Sequence, residues 1–433
     1  MASKKTAVIH IDALRREYCA ARALQEKLEL DGINVLLSSR NSTTLLLKLF
    51  TPDIFISSHV FQLSPKTNKA LSKKGVILLI KEVEGVDHED VVVLTYPKNH
   101  NGSDIDYQNF SRFYVWGKYT RDWLIKHRGI DKEKIQTTGS INQSSYLRDI
   151  NNKPNKPVGI ISRFEILNTF DKRHPFTNLI ALDPTDDKYK WYYERCAIDS
   201  EVFSIICKII DRLVKQDIYI SIRPHPNENL ESYKILKKMY GKRLSIDNCI
   251  GIQEWLSNVS VVIGTTSTAF ADAYIHETPI ISTSAIQRFH YITESQRINL
   301  GRFDLAAYTP NNIDEAEALC LTKNLKAKKS KELDTYFNEF YSLDSTMDPI
   351  DAIAADITNL VKQENMKTKR SNYHRGRALL YLIDLLTIIR SLISKSPWNN
   401  FKILKIYSYN NLIHRPSNFI KETINRIRDR QTK

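Results

Sequence analysis

The sequence predicts two successive α/β halves, each a parallel sheet covered by helices, followed by a basic helical extension. Three observations carry this expectation. Short apolar runs such as TAVIHI (6–11) and GVILLI (75–80) alternate with segments of helical spacing, the pattern of strands buried on both faces. The same alternation restarts after NNKPNKP (151–157), whose Asn, Lys and Pro read as a linker. A chain of 433 residues, 42% hydrophobic and 26% charged, is also too long for one comfortable core.

In order, strand 6–11 is followed by a helix over Asp12 to Asp31 with Leu14, Ala21, Leu24 and Leu28 at helical spacing, closed by Asp31-Gly32. INVLL begins the next strand. A helix near 42–50, strand DIFISS (53–58), a helix near 65–74 and strand 75–80 continue the series. After a polar stretch (97–112) come FYVWG (113–117), a helix over 118–128 and KIQTTGS (134–140). The second half reads as strand VGIISRF (158–164), helix 199–215, strand IYISIRP (218–224), helix 229–240, strand 244–247, helix 252–257, strand VSVVIG (259–264), helix 267–276 and strand TPIIST (278–283). The expected domains are therefore 1–150, 151–364 and a tail, 365–433. Ligands of open parallel sheets bind at the carboxyl ends of the strands, so a cleft there is expected to hold the site.

Gly (13) and Pro (14) are too few for a collagen-like or largely disordered chain. The five cysteines form no CxxC pair and no zinc-spaced cluster with His. MASKKTAVIHID lacks the apolar stretch of a secretory signal, and a reducing, cytoplasmic setting is expected. The net charge of +14 is local: residues 365–433 carry 7 Lys and 8 Arg against Asp384, Glu422 and Asp429, a net of +12, which leaves +2 for residues 1–364. No RNA- or DNA-binding pattern accompanies that charge, so nucleic acid is not expected as a partner. ALLYLIDLLTIIRSLIS (378–394) carries Asp384 and Arg390 near its middle, which argues against a membrane span. The expectation is an amphipathic tail on an anionic membrane surface, with docking on the protein's own body as the alternative.

Two motifs in the second half carry chemistry. In IRPHPNE (222–228), Arg223 and His225 leave a strand end, and Pro224 and Pro226 stiffen the backbone around His225. That mount suits an anionic ligand; the plainer reading is a stiff loop whose His bonds a neighbouring helix. After VSVVIG, four hydroxyl residues, Thr265, Thr266, Ser267 and Thr268, precede a helix, offering donors beside free backbone N–H groups. An ordinary N-cap would need one of them.

Together with Glu277-Thr278-Pro279-Ile280-Ile281, these motifs resemble the nucleotide-binding half of bacterial surface-polysaccharide glycosyltransferases of the GT-B type: the surface carbohydrate biosynthesis protein family and the retaining Kdo transferases of capsule and O-antigen assembly. Polysialyltransferases and polyol-phosphate transferases share both motifs. The resemblance implies two Rossmann-like domains facing a cleft. It also implies phosphate contacts from His225, Ser267 and Thr268, with Thr266 beside them and Arg223 as a supporting cation. FYVWGKYTRDWL and IQTTGSIN look like the family's VWG and TGNP segments, with Gly139-Ser140-Ile141-Asn142 departing from Gly-Asn-Pro. ISRF places Ser162 and Arg163 where the family's turn faces the nucleotide.

KEVEGVDHED (81–90) supplies the acid/base candidates. Glu84, in the Glu-x-Gly-like Glu84-Gly85, and Asp87 follow a strand end; a solvated acidic loop is the alternative. Glu254 could bind a ribose or base edge, or serve as a helix N-terminal acid. Trp191, Tyr192 and Tyr193 read as a packing patch or a sugar-stacking surface. The expected function is transfer of a sugar from a nucleotide-activated donor, CMP-Kdo or a similar CMP-ulosonic acid, to a glycan or lipid-linked glycan. Neither metal nor cofactor is expected. A polyol-phosphate transferase using a CDP-linked donor and an inert nucleotide- or glycan-binding scaffold stay open.

Overall fold

The computed structural model describes residues 4–83, 89–147, 156–169, 174–180, 183, 185, 187–225, 228–247, 251–289, 301–363, 372–393, 425, 427 and 428. It divides into two compact units, Met1–Leu147 with Thr335–Lys433, and Arg148–Asp334.

The first unit runs β1 (Thr6–Ile11), α1 (Leu14–Leu30), β2 (Asn34–Ser39), α2 (Arg40–Leu49), β3 (Ile54–Ser57), α3 (Pro65–Lys73), β4 (Ile77–Lys81), α4 (Glu89–Thr95), a small hairpin of β5 (Asn99–His100) and β6 (Ser103–Asp104), β7 (Arg112–Val115), α5 (Lys118–Arg128) and β8 (Ile135–Thr137). Its six-stranded sheet is parallel throughout, in the order β2-β1-β3-β4-β7-β8. Every residue of β1 is buried, because helices cover both faces of a parallel sheet. Ser39 caps α2 with a reciprocal Ser42 contact, and Ser64 caps α3 ahead of Pro65.

The second unit contains β9 (Val158–Ile161), α6 (Pro175–Ile180), α7 (Asp187–Lys215), β10 (Ile220–Arg223), α8 (Leu230–Tyr240), β11 (Leu244–Ile246), α9 (Ile252–Leu256), β12 (Val261–Gly264), α10 (Ala269–Ile275), β13 (Ile280–Ser282), β14 (Ala307–Tyr308) and α11 (Ile313–Leu321). Its parallel sheet has the order β11-β10-β9-β12-β13-β14. Counted within the unit, this is the 3-2-1-4-5-6 order of a Rossmann sheet. The expected architecture of two Rossmann-like α/β units with a helical C-terminal region is the one observed.

One expectation about the C-terminal part needs correcting, and for another the stated alternative is observed. Residues 335–363, expected in the second domain, pack with the first unit: α12 (Lys331–Tyr341) leads into it and α13 (Pro349–Gln363) lies on α1. Polar anchors fix the return. Arg112 Nε and Tyr114 Oη donate to Asp356 Oδ2 at 3.1 and 2.9 Å, Ser144 Oγ donates to Asp348 at 2.9 Å, and Lys27 Nζ meets Asp351 at 2.9 Å. Gly117 permits the close approach of α12, since a Cβ there would stand 2.3 Å from the Glu339 carbonyl oxygen.

The described part of the tail is not a free amphipathic helix. α14 (Tyr373–Ile393) docks on α2 and β2, and Leu380 and Ile383 join the core formed by Leu36, Leu46, Phe50 and their neighbours. Gly376 lets it approach, because a Cβ would meet Leu36 and Phe50 at 2.9 Å. Ile427 is fully buried and Arg428 Nε donates to Glu26 at 2.6 Å. Docking on the body thus accounts for one face of this helix, while Leu382, Leu385 and Leu386 on it stay exposed. Among the described residues no helix is long and apolar enough to cross a membrane.

Candidate functional site

In the second unit the strand order reverses at β9, whose neighbours are β10 and β12. The crevice outside the carboxyl ends of such strands is where open α/β sheets bind ligands. Three turns leave there: Ser162-Arg163 after β9, Pro224-His225 after β10, and Thr265 to Thr268 after β12. Gly264 lets β12 approach β9, since a Cβ would lie 2.8 Å from the Ile161 carbonyl oxygen.

The four hydroxyl residues divide into two roles. Thr265 shares a hydrogen bond with Gln287, and Thr266 Oγ1 donates to Asp304 Oδ1 at 2.7 Å, so both hold the turn to later parts of the unit. Arg163 Nη1 donates to the Thr266 carbonyl at 2.8 Å, bracing the turn from the β9 side. Ser267 Oγ is buried without a hydrogen-bond partner, and Thr268 stands exposed at the start of α10 with no side-chain cap bond. An ordinary N-cap would have engaged one of these hydroxyls.

The IRPHPNE loop is organised by a residue that sequence reasoning passed over. Glu228 is buried and accepts from the Phe164 N–H at 2.6 Å, from Ser162 Oγ at 2.8 Å and from the Tyr233 hydroxyl. Burial pushes its carboxyl up to about 7, against the pull of these donors. Ser162 in turn accepts from the His225 N–H at 3.3 Å. Its only sequence signal was its place at the end of the motif. Burial opposes ionisation of Glu165, yet the charges of His225, Arg195 and Arg163 prevail and hold its carboxyl below the usual range. His225 thus sits half-buried amid Ser162, Glu165 and Glu228.

Two predicted residues take structural places. Arg223 is paired with Asp247 and lies over the Trp255 ring at 5.9 Å. Its charge is compensated inside the unit, and removing it would strand Asp247 at about 3–5 kcal/mol. Glu254 lies in the first turn of α9, with its carbonyl accepting from Asn258 Nδ2 at 2.7 Å, which fits the helix N-terminal acid. In KWYYER, Tyr192 is buried while Trp191 and Tyr193 are exposed.

Glu84 and Asp87 lie outside the described residues. Their neighbour Glu82 is described and is not a free acid. It is buried, its Oε2 accepts from the Trp116 N–H at 2.6 Å, and its carbonyl accepts from the Trp116 indole at 2.8 Å. The VWG segment is therefore an anchor for Glu82. Burial pushes the Glu82 carboxyl up to about 8. The folded state holds this proton where the unfolded chain has released it, so stability falls as pH rises from about 4.5 towards 8, on the order of 1.4 kcal/mol per pH unit. Glu82→Gln keeps an acceptor for Trp116 and lacks the titration. Denaturant melts from pH 5 to 8 are expected to show a flatter stability profile in the variant; parallel profiles would refute this.

No protein-family model matches the chain, and no curated protein sequence matches it. Among solved structures it is similar to the Methanocaldococcus jannaschii UDP-GlcNAc 2-epimerase in complex with UDP-GlcNAc and UDP, at 13% identity over 82% of this chain and 99% of that chain, with a TM-score of 0.46. It is similar to the S. aureus MnaA–UDP co-structure at 12% identity over 84% and 98%, TM-score 0.48. It is also similar to the wall teichoic acid polymerase TagF at 12% identity over 83% and 89%, TM-score 0.47. These likenesses concern overall α/β architecture, at identities too low to transfer a substrate.

Proposed function

We propose that the chain is a glycosyltransferase of bacterial surface polysaccharide assembly, acting in capsule or O-antigen synthesis at the inner face of the cytoplasmic membrane. It would take a sugar from a nucleotide-activated donor, with CMP-Kdo or a similar CMP-ulosonic acid preferred, and pass it to a glycan or lipid-linked glycan. The observation that carries the reading is the partnerless, buried Ser267 hydroxyl in a turn braced by Arg163 at the switch point. A phosphate oxygen supplies the acceptor that Ser267 lacks. His225 and Thr268 add donors from the adjoining turns, and the donor set meets the charge that grows on the departing phosphate. Arg163 acts here by holding the turn.

Glu84, and after it Asp87, remain the proposed carboxylates for the acceptor hydroxyl or for the developing oxocarbenium ion. Membrane attachment in this reading falls to the exposed leucines of α14, Leu382, Leu385 and Leu386, and to the basic residues beyond Ile393. A thermal-shift panel of the full chain with CMP, CDP, UDP and GDP tests the donor. CMP is expected to stabilise most, by about 2.7 kcal/mol at a hundredfold excess over Kd. A response confined to UDP or GDP overturns the donor assignment. Release of CMP from a CDP-polyol with transfer of its phosphate would establish the polyol-phosphate alternative, and binding without turnover the scaffold.

A further inference from the structure

The first unit has a switch point of its own, between β1 and β3, which both pair with their neighbours in parallel. The residues leaving the sheet there are His10 and Asp12 from β1 and Ser57, Ser58 and His59 from β3. The Asp12 side chain is 17% exposed and pairs with Arg16 Nη2 and Arg40 Nε, both at 3.7 Å, and with His59 Nε2 at 3.9 Å. Each is an ion-pair separation longer than a direct hydrogen bond, so the Asp12 oxygens keep acceptor capacity. The neighbouring Lys81 is already satisfied: its Nζ meets Glu17 Oε2 at 2.8 Å, Ser58 Oγ donates to the same oxygen at 2.7 Å, and Lys81 and Glu17 are both buried. Asp12 is therefore not needed to neutralise Lys81.

Two imidazole nitrogens beside this ring of groups have no hydrogen-bond partner. His59 is 8% exposed, and its Nδ1 is buried with no hydrogen-bond partner, as is His10 Nε2. His59 stacks on Phe61, which stacks on His100, each pair with centroids 5.0 Å apart, so the imidazole plane is fixed. Burial drives His10 down to about 3, leaving it neutral. Burial opposes ionisation of Asp12, yet His59 and Arg40 hold its carboxyl below the usual range, so it is acceptor-only near neutrality.

The chemistry selects among ligand classes. A cation would meet two guanidiniums at Asp12. An anion would find those guanidiniums already facing Asp12 and Glu17. A neutral polyol fits, since each hydroxyl both donates and accepts and can bridge a carboxylate to a guanidinium. We propose that this crevice is a sugar subsite in which the Asp12 carboxylate accepts from two vicinal hydroxyls of a neutral glycan, with Arg16, Arg40 and His59 closing around them. It rests on the glycosyltransferase reading and names where the acceptor glycan is gripped.

The test is saturation-transfer NMR on the full chain with methyl α-mannoside, methyl β-galactoside and methyl β-N-acetylglucosaminide, with methyl β-glucuronide as an acidic probe. Arg40 is 64% exposed, so Arg40→Ala is a safe second variant beside the near-isosteric Asp12→Asn. At least one neutral glycoside is expected to respond, and the response is expected to fall at least fivefold in both variants. Equal signals in wild type and variants, silence from all three neutral probes, or a response to the glucuronide alone would overturn the proposal. The nucleotide thermal shift of the same samples reports on the second unit and is expected to be unchanged, so failure of the subsite and failure of the transferase reading leave different signatures.

Discussion

Deleting residues 365–433 is expected to lower the unfolding temperature of the first unit by roughly 10 °C. The deletion removes Leu380 and Ile383, 2% and 3% exposed, from the core they share with Leu36, Leu46 and Phe50. A fully buried Leu or Ile contributes about 1.5–3 kcal/mol, and 1 kcal/mol moves the midpoint by about 2–4 °C in a unit of this size. The newly bared apolar surface on α2 and β2 adds a tendency to aggregate. Loss of Ile427 adds to the effect, while the exposed Arg428 pairing with Glu26 contributes little. A cut after Ile393 spares α14 and is expected to lower the midpoint less. Leu380→Ala isolates the packing term at about 2–5 kcal/mol. If the tail were only an electrostatic adhesive, calorimetry would find the same midpoint with and without it, although the net charge would drop from +14 to +2.

That outcome bears on what could be read from residue order. The strands were legible because burial on both faces writes an unbroken apolar run: TAVIHI is β1 to the residue, and VSVVIG contains β12. Boundaries moved by a residue or two where polar side chains fill the turn before a helix. α1 begins at Leu14, after the Asp12 turn, and α10 at Ala269, after the hydroxyl turn. α7 starts at Asp187, well before the expected 199, because Tyr192, Arg195 and Asp199 continue one buried face through that segment.

What stayed hidden was long-range. Nothing local in 335–363 says that Asp348, Asp351 and Asp356 answer Ser144, Lys27 and Arg112 some two to three hundred residues away. The same holds for charge compensation. Arg223 looked like a free cation because Asp247 sits on the next strand's far side in sequence, and only the β10–β11 pairing brings them together. The positions of His225, Ser162, Arg163 and the hydroxyl turn at strand ends were legible. The roles of Glu228 and Asp304, which fix those turns, were not, since a lone acid after a motif carries no distinguishing pattern.

Ser267→Ala is expected to reduce turnover by about tenfold to a hundredfold while leaving the melting temperature unchanged or slightly higher. The hydroxyl is buried with no partner, so its removal relieves an unmet donor instead of creating one. A structural hydroxyl behaves in the opposite way. Thr266→Val leaves Asp304 Oδ1 without its donor and is expected to lower stability by about 1–3 kcal/mol. His225→Ala removes a ring beside Glu165 and leaves the backbone bond to Ser162 in place. It is expected to cut kcat by about two orders of magnitude or more, with circular dichroism unchanged. Steady-state assays of nucleotide release paired with melts of the same preparations separate the cases. Ser267→Ala and His225→Ala should lose rate without losing stability, and Thr266→Val should lose stability first. Full activity in Ser267→Ala and His225→Ala would remove the phosphate site from the second unit's switch point, because no other described hydroxyl there lacks a partner while buried.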